Sequence, residues 1–326
     1  MKFEIKNGVL EWCIPEQDET SFTVPDSVTQ IGTNAFEKCI SLQEITLPDS
    51  VREIGTKAFY HCRSLRKIHI PAGTAVIGEN VFAGCESLEE IELPERLERI
   101  GSFAFTGCRA LREIRIPART VLGDMQMSVF FGCSALRKVV LPEGVKILGS
   151  GFFCQCELLE DIELPEGIQS LGEMAFSECT ALREILLPDS LEEIKDRAFE
   201  ECRALQEIWL PDGLKRIGAH AFLSCRNLKK VRFPADPEYI PDTTFLLCPR
   251  LTELAFTAVP RQGSALHKWL CGFLSKHREI PLNMQRLQTL DAISATAFLH
   301  AAQTLEDAEI TALMLKYLNE NGGTTL

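Results

Sequence analysis

The stretch "AFEECRALQEIWLPDGLKRIG", residues 198–218, nearly repeats "AFSECTALREILLPDSLEEIK", residues 175–195. Aligned on its cysteine, Cys202, the pattern extends through Cys39, Cys62, Cys85, Cys108, Cys133, Cys156, Cys179, Cys225 and Cys248. Every interval is 23 residues except the 25 between Cys108 and Cys133. With x for any residue, the unit reads L-P-x-x-V-x-x-I-G-x-x-A-F-x-x-C-x-x-L-x-x-I-x. Ten consecutive matches define a repeat chain, which grows by stacking units, so the length of 326 residues does not set a domain count.

The apolar positions give the unit its physics. In "LREILLP", residues 182–188, Ile185 and Leu187 alternate and predict a short strand with both side chains on one face. Pro188 ends the strand, because it has no amide to donate to a ladder. A second extended piece, "SLEEI", leads to a position held by glycine in most copies, where a backbone angle awkward for a side chain is expected; Lys195 takes that place here. "AFSEC" predicts about one helical turn, with Phe176 and Cys179 three apart and facing inward. One copy alone cannot bury its apolar set, whereas stacked copies bury a continuous ribbon.

The stretch "IGTNAFEKCISLQEITLP", residues 31–48, resembles almost letter for letter the pattern IGxxAFxxCxxLxxIxLP of the bacterial BspA-like leucine-rich repeat family. The resemblance runs from residue 22 to about 256, roughly 70% of the chain. It implies a repeat β-solenoid with a parallel sheet on its concave side and a protein-binding role. Some members are surface adhesins with secretion signals. In the fifth copy, "IPARTVLGDMQMSVFFGC", two extra residues after Gly123 are expected to bulge outward without breaking the ladder. The tenth copy gains Pro237, Pro241 and Pro249, as a terminal repeat does.

Three regions are expected. Residues 1–21 form an N-terminal β cap, with Asn7 and Gly8 suited to a tight hairpin. Residues 22–256 form ten repeats, and residues 257–326 a C-terminal α-helical cap. In the last region Leu266, Trp269, Leu270, Phe273 and Leu274 make one helical stripe. Leu290, Ile293, Ala297, Phe298 and Ala301 make a second. Ile310, Leu313, Met314, Tyr317 and Leu318 make a third, after a capping-box-like "TLED" and before Asn321 and Gly322.

Composition excludes several classes of function. A net charge of −12 disfavours general nucleic-acid binding, which needs Lys and Arg along phosphates. No apolar run is long enough for a signal peptide or a membrane span, so the chain is expected to be cytoplasmic; a signal upstream of residue 1 would favour a secreted or surface adhesin binding host proteins. Ten cysteines share one repeat position and read as a buried column of small core residues, and Cys202→Ser is expected to destabilise by burying a hydroxyl. Off the column, Cys154 with Cys156, and His267 with Cys271 and His277, are weak metal signals that more simply reflect packing. With no nucleotide-binding loop, nucleophile elbow or zincin motif, no enzyme activity, cofactor, metal or small-molecule substrate is expected.

Where a partner binds is read from the strand positions that the scaffold leaves free. The residue before the inward Ile runs Glu44, Lys67, Glu90, Glu113, Lys138, Asp161, Glu184, Glu207 and Lys230. The residue after it runs Thr46, His69, Glu92, Arg115, Val140, Glu163, Leu186, Trp209 and Arg232. Trp209 beside Leu186, rimmed by Glu184, Glu207 and Arg232, has the composition of a binding hot spot for a protein partner of unknown identity. Two alternatives stand beside this: the C-terminal helices fold back over the pair, or the two are scattered surface residues. Arg115, with Arg109, Arg112 and Arg119, makes a second, basic candidate.

Overall fold

Each turn of the chain supplies three segments, and each segment stacks on its counterparts in neighbouring turns. The computed structural model describes residues 1–16, 19–122, 127–286 and 290–321. On one side lie strands of three or four residues, among them Glu44–Thr46, Lys67–His69, Lys138–Val140 and Glu207–Trp209. Their central residues are buried and their flanks exposed. Pairing is parallel and in step with the repeat, Glu44 opposite Lys67 and Ile45 opposite Ile68. A second side stacks two-residue strands such as Glu53–Ile54, Val76–Ile77 and Arg99–Ile100, also parallel.

Two local expectations are corrected on the remaining side. The repeat glycine after these short strands does not adopt a left-handed angle; it is there because the turns touch. A β-carbon on Gly101 would lie 2.5 Å from the Glu79 nitrogen, and one on Gly218 would lie 2.4 Å from the Asp196 nitrogen. The A-F-x-x-C segment is not a helical turn either. Residues before the Ala-Phe pair and before the Cys have φ near +58°, including Asn34, Lys38, Arg197 and Glu201. That alternation aims every other amide at the next turn: Asn34, Phe36 and Lys38 donate to the Thr56, Ala58 and Tyr60 carbonyls at 3.0, 2.7 and 2.7 Å. The amides between them, Ala35, Glu37 and Cys39, close tight turns within the segment. A helix would consume all its amides internally and leave this side of the stack unpaired.

Inside the three ladders, phenylalanines stack turn upon turn. Ring centroids lie 5.1 Å apart for Phe36 and Phe59, and 4.9 Å apart for Phe222 and Phe245. Phe105 and Phe130 keep the ring stack at 5.6 Å across the longer interval, whereas among the described residues the short-strand ladder breaks at this step, between Val121–Leu122 and Ile147–Leu148, contrary to expectation. The expected bulge at residues 123–126 lies outside the described residues. Beside the rings runs the thiol column, in which every Sγ from Cys62 onward donates to a phenylalanine carbonyl of the preceding turn: Cys62 to Phe36 at 3.0 Å, Cys202 to Phe176 at 3.1 Å. A serine at residue 202 would bury its hydroxyl beside the same Phe176 carbonyl.

At the start, Lys2–Lys6 and Val9–Ile14 pair antiparallel around Asn7 (φ 51) and Gly8 (φ 81), and the second strand joins the short-strand ladder at Gln30. At the far end lie α1 (Ala265–Leu274), α2 (Glu279–Arg286), α3 (Ala292–Thr304) and α4 (Ala308–Glu320). Trp269 of α1 meets Phe233 and Phe245 at 5.0 and 5.7 Å, and Phe298 of α3 meets Phe256 at 6.2 Å, which closes the open end of the core. In "TLED" the cap is Asp307, whose carboxylate accepts the Ile310 amide, while the Thr304 hydroxyl turns back to the His300 carbonyl. Among the described residues no helix is long and apolar enough to cross a membrane.

Gly218→Ala is expected to lower stability by about 1–3 kcal/mol, since the new methyl meets backbone that cannot yield; chemical denaturation measures it, and an unchanged midpoint would refute the contact. Burial pushes the thiols up, to about 11 at Cys39 and about 12 at Cys133, and further at Cys108 and Cys179. The folded chain then holds protons that the unfolded thiols release above their usual pKa of about 8.5. Stability is therefore complete below that value and is lost as pH rises beyond it, by about 1.4 kcal/mol per pH unit for each buried thiol. Thiol titration at neutral pH should find Cys248 and Cys271, the half-buried pair, reacting ahead of the others.

Candidate functional site

The exposed face of the longer strands is built from positions that packing does not choose. Along most of it, charges alternate between turns and pair across them: Lys67 meets Glu90 at 3.9 Å, Arg112 meets Glu89 at 3.6 Å and Arg137 meets Glu160 at 3.3 Å. Strand pairing on this face is not continuous. Glu163 and Leu186 form an isolated bridge, and the sheet resumes at Glu207–Trp209 without pairing back to Leu186. At the entry to that gap the Gln206 amide reaches the Arg183 carbonyl at 3.4 Å, against 2.7 Å for the next bond, Lys229 to Gln206.

A concavity of about 420 Å³ opens at the gap. Leu186, Trp209, Glu184, Glu207 and Arg232 line it together, so the structure gathers five of the residues that the sequence singles out. Leu186 is 84% exposed and Trp209 52%. The parallel register sets Trp209 opposite Arg232, whose guanidinium lies 5.4 Å from the indole centroid. Thr257 is the last residue along the chain to line this space, so the C-terminal helices cover the end of the array and leave the pair open.

Arg115 stands apart. It is paired with Glu95 at 3.2 Å in a separate concavity of about 450 Å³. Four turns separate it from Trp209, roughly 19 Å at the spacing of neighbouring strands. Arg112 is also paired, so half of the basic quartet is neutralised in place.

A concavity of about 610 Å³ is one that the repeat pattern hides: it lies between the tenth turn and α1, with Leu246, Leu247, Trp269 and Phe273 on its walls and Arg226 and Lys276 among the lining residues. A signal was present. Leu247, at φ 58, occupies the position where other turns carry Lys38, His61, Gly84, Glu178 or Ser224.

The side chains with chemical potential are held in structural roles. Burial raises the thiols and keeps them protonated, which removes the thiolate that nucleophilic or metal chemistry requires. His267 is buried, with Nδ1 accepting the Gly263 amide at 3.3 Å and Nε2 3.4 Å from the Thr304 hydroxyl, and so ties α1 to α3. Cys271 lies 3.9 Å from that ring, whereas His277 turns to Glu279 at 3.6 Å. Among the described residues, no three His, Cys, Asp or Glu side chains come close enough to hold a metal ion.

Stacked parallel strands, a proline after each longer strand and an outward face free to vary define a leucine-rich-repeat scaffold. The chain belongs to the family described as BspA type leucine-rich repeat region, whose model matches residues 11–126 and 123–252. Among solved structures, a leucine-rich repeat protein from Bacteroides ovatus is 28% identical over 78% of this chain and 74% of its own, with a TM-score of 0.68. A leucine-rich cell surface protein from Faecalibacterium prausnitzii is 27% identical over 73% and 79%, with a TM-score of 0.48. The pneumococcal vaccine antigen PcpA is 23% identical over 73% and 68%, with a TM-score of 0.49. No curated protein matches the chain. Family and fold together suggest a protein-interaction scaffold.

Exposure separates the tryptophans by role. Trp269, 2% exposed, should cost about 3–5 kcal/mol on replacement by Ala. Trp209→Ala should stay within about 0.5 kcal/mol of the parent. Thermal denaturation of both variants decides it, and a large loss for Trp209→Ala would make that residue structural.

Proposed function

We propose that this chain is a non-enzymatic docking scaffold, and that it holds a protein partner on the outer face of its longer strands at Leu186 and Trp209, within the rim of Glu184, Glu207 and Arg232. One observation carries the reading: a tryptophan and a leucine lie together, open to solvent, at one of the breaks in the strand pairing of this face. The repeat rules account for Ile185 and Ile208 beneath them, but not for these two. Leaving such apolar surface in water is unfavourable for an isolated chain, and its burial at the centre of an interface is the usual source of hot-spot energy.

The scaffold suits that task because its turns are fixed by three ladders, so little ordering is required when a partner arrives. We place the activity in a reducing compartment, where a column of protonated thiols is stable against oxidation. The test is affinity capture with the native protein beside a Trp209→Ala, Leu186→Ala variant. Partners held by the native chain should be depleted at least tenfold by the variant, on the order of the loss from one hot-spot residue. Equal recovery of every partner by both would remove this face from the function.

A further inference from the structure

The lining of the Trp209 concavity also carries information about what fits it. Besides Leu186 and Trp209 it presents four carboxylates, Glu184, Asp189, Glu207 and Asp212, against the single guanidinium of Arg232. That guanidinium is already engaged over the indole. None of the four carboxylates makes an ion pair among the described residues. The concavity around Arg115 is the internal contrast: it mixes Glu92, Glu95 and Glu113 with Arg115 and Lys138, and Arg115 bonds Glu95 within it.

The column before the inward Ile makes the same point. It alternates as Glu44, Lys67, Glu90 in the early turns and closes an ion pair there, but it reads Asp161, Glu184, Glu207 in successive turns beside the apolar pair. Like charges on neighbouring turns oppose sheet formation, and the one cation in register with them, Lys230 opposite Glu207, closes no ion pair with it. The carboxylates are therefore left without a closed ion pair, among the described residues, where the apolar surface is also uncovered.

Building on the docking face proposed above, we infer that its occupant is a basic polypeptide segment, in which an apolar side chain enters between Leu186 and Trp209 and flanking Lys or Arg side chains meet Glu184, Asp189, Glu207 and Asp212. A nucleic acid is opposed by the same carboxylates, and an acidic segment has only Arg232 to meet.

The probe is a labelled decapeptide of alternating Lys and Leu, with Glu in place of Lys as its counterpart, titrated by fluorescence anisotropy against the full chain. Because the whole protein is acidic, a Glu44→Gln, Glu90→Gln variant serves as the control of equal net charge. The Lys peptide should bind and the Glu peptide should not. Glu184→Gln, Glu207→Gln should weaken binding about tenfold, from two exposed charge contacts, while the control stays within about twofold. Added salt should weaken the native complex more than that of the Glu184→Gln, Glu207→Gln variant. Failure of the Lys peptide to bind, or equal losses in the two double variants, would overturn the inference. Natural partners lost on Trp209→Ala, Leu186→Ala but retained on Glu184→Gln, Glu207→Gln would overturn the basic occupant and leave the docking face standing.

Discussion

The rest of the molecule depends on one spacing: consecutive turns lie close enough for backbone to bond backbone on every side. At about 4.8 Å, the ordinary distance between paired strands, a turn has room for flat rings in its core, while its tightest corner holds glycine in most copies and a β-carbon at Lys195. The stacked phenylalanines, the glycines against neighbouring backbone and the thiols bonded to carbonyls all answer to that distance. Cysteine suits its place because it is small, apolar enough for the core and still able to donate weakly to a carbonyl between two rings.

Much of this was legible in the sequence, for a physical reason. A repeat multiplies each constraint tenfold, so Phe176, Cys179 and Ile185 announce themselves by recurrence alone. Conformation inside the repeat was harder to read. "AFSEC" has helical spacing, and only the demand for lateral amides, which comes from the neighbouring turn, forces Met174 and Glu178 into left-handed backbone. The glycine position misled similarly, because close approach and unusual angle select the same residue. Non-local effects also hid the opening between the tenth turn and α1, since Leu247 looks like one more irregular letter in a degenerate copy.

The outward positions carry the opposite logic. Packing does not dictate Thr46, Val140 or Trp209, so their variety is where a history of use can be written. The structure added to the sequence that Leu186 and Trp209 face one opening, that Arg232 is committed to the indole, and that Arg115 belongs to another neighbourhood. A column of like charge beside an open apolar pair makes sense as half of an interface.

The gap itself has a mechanical meaning. Between these same two turns the short strands remain paired, Glu193 opposite Arg216, and the Phe176 amide still bonds the Ala198 carbonyl at 2.7 Å. Two sides of the array are thus clamped, while the third keeps the long Gln206–Arg183 bond in place of a strand ladder. A side chain entering at Trp209 would therefore meet the one side of this step that no ladder holds.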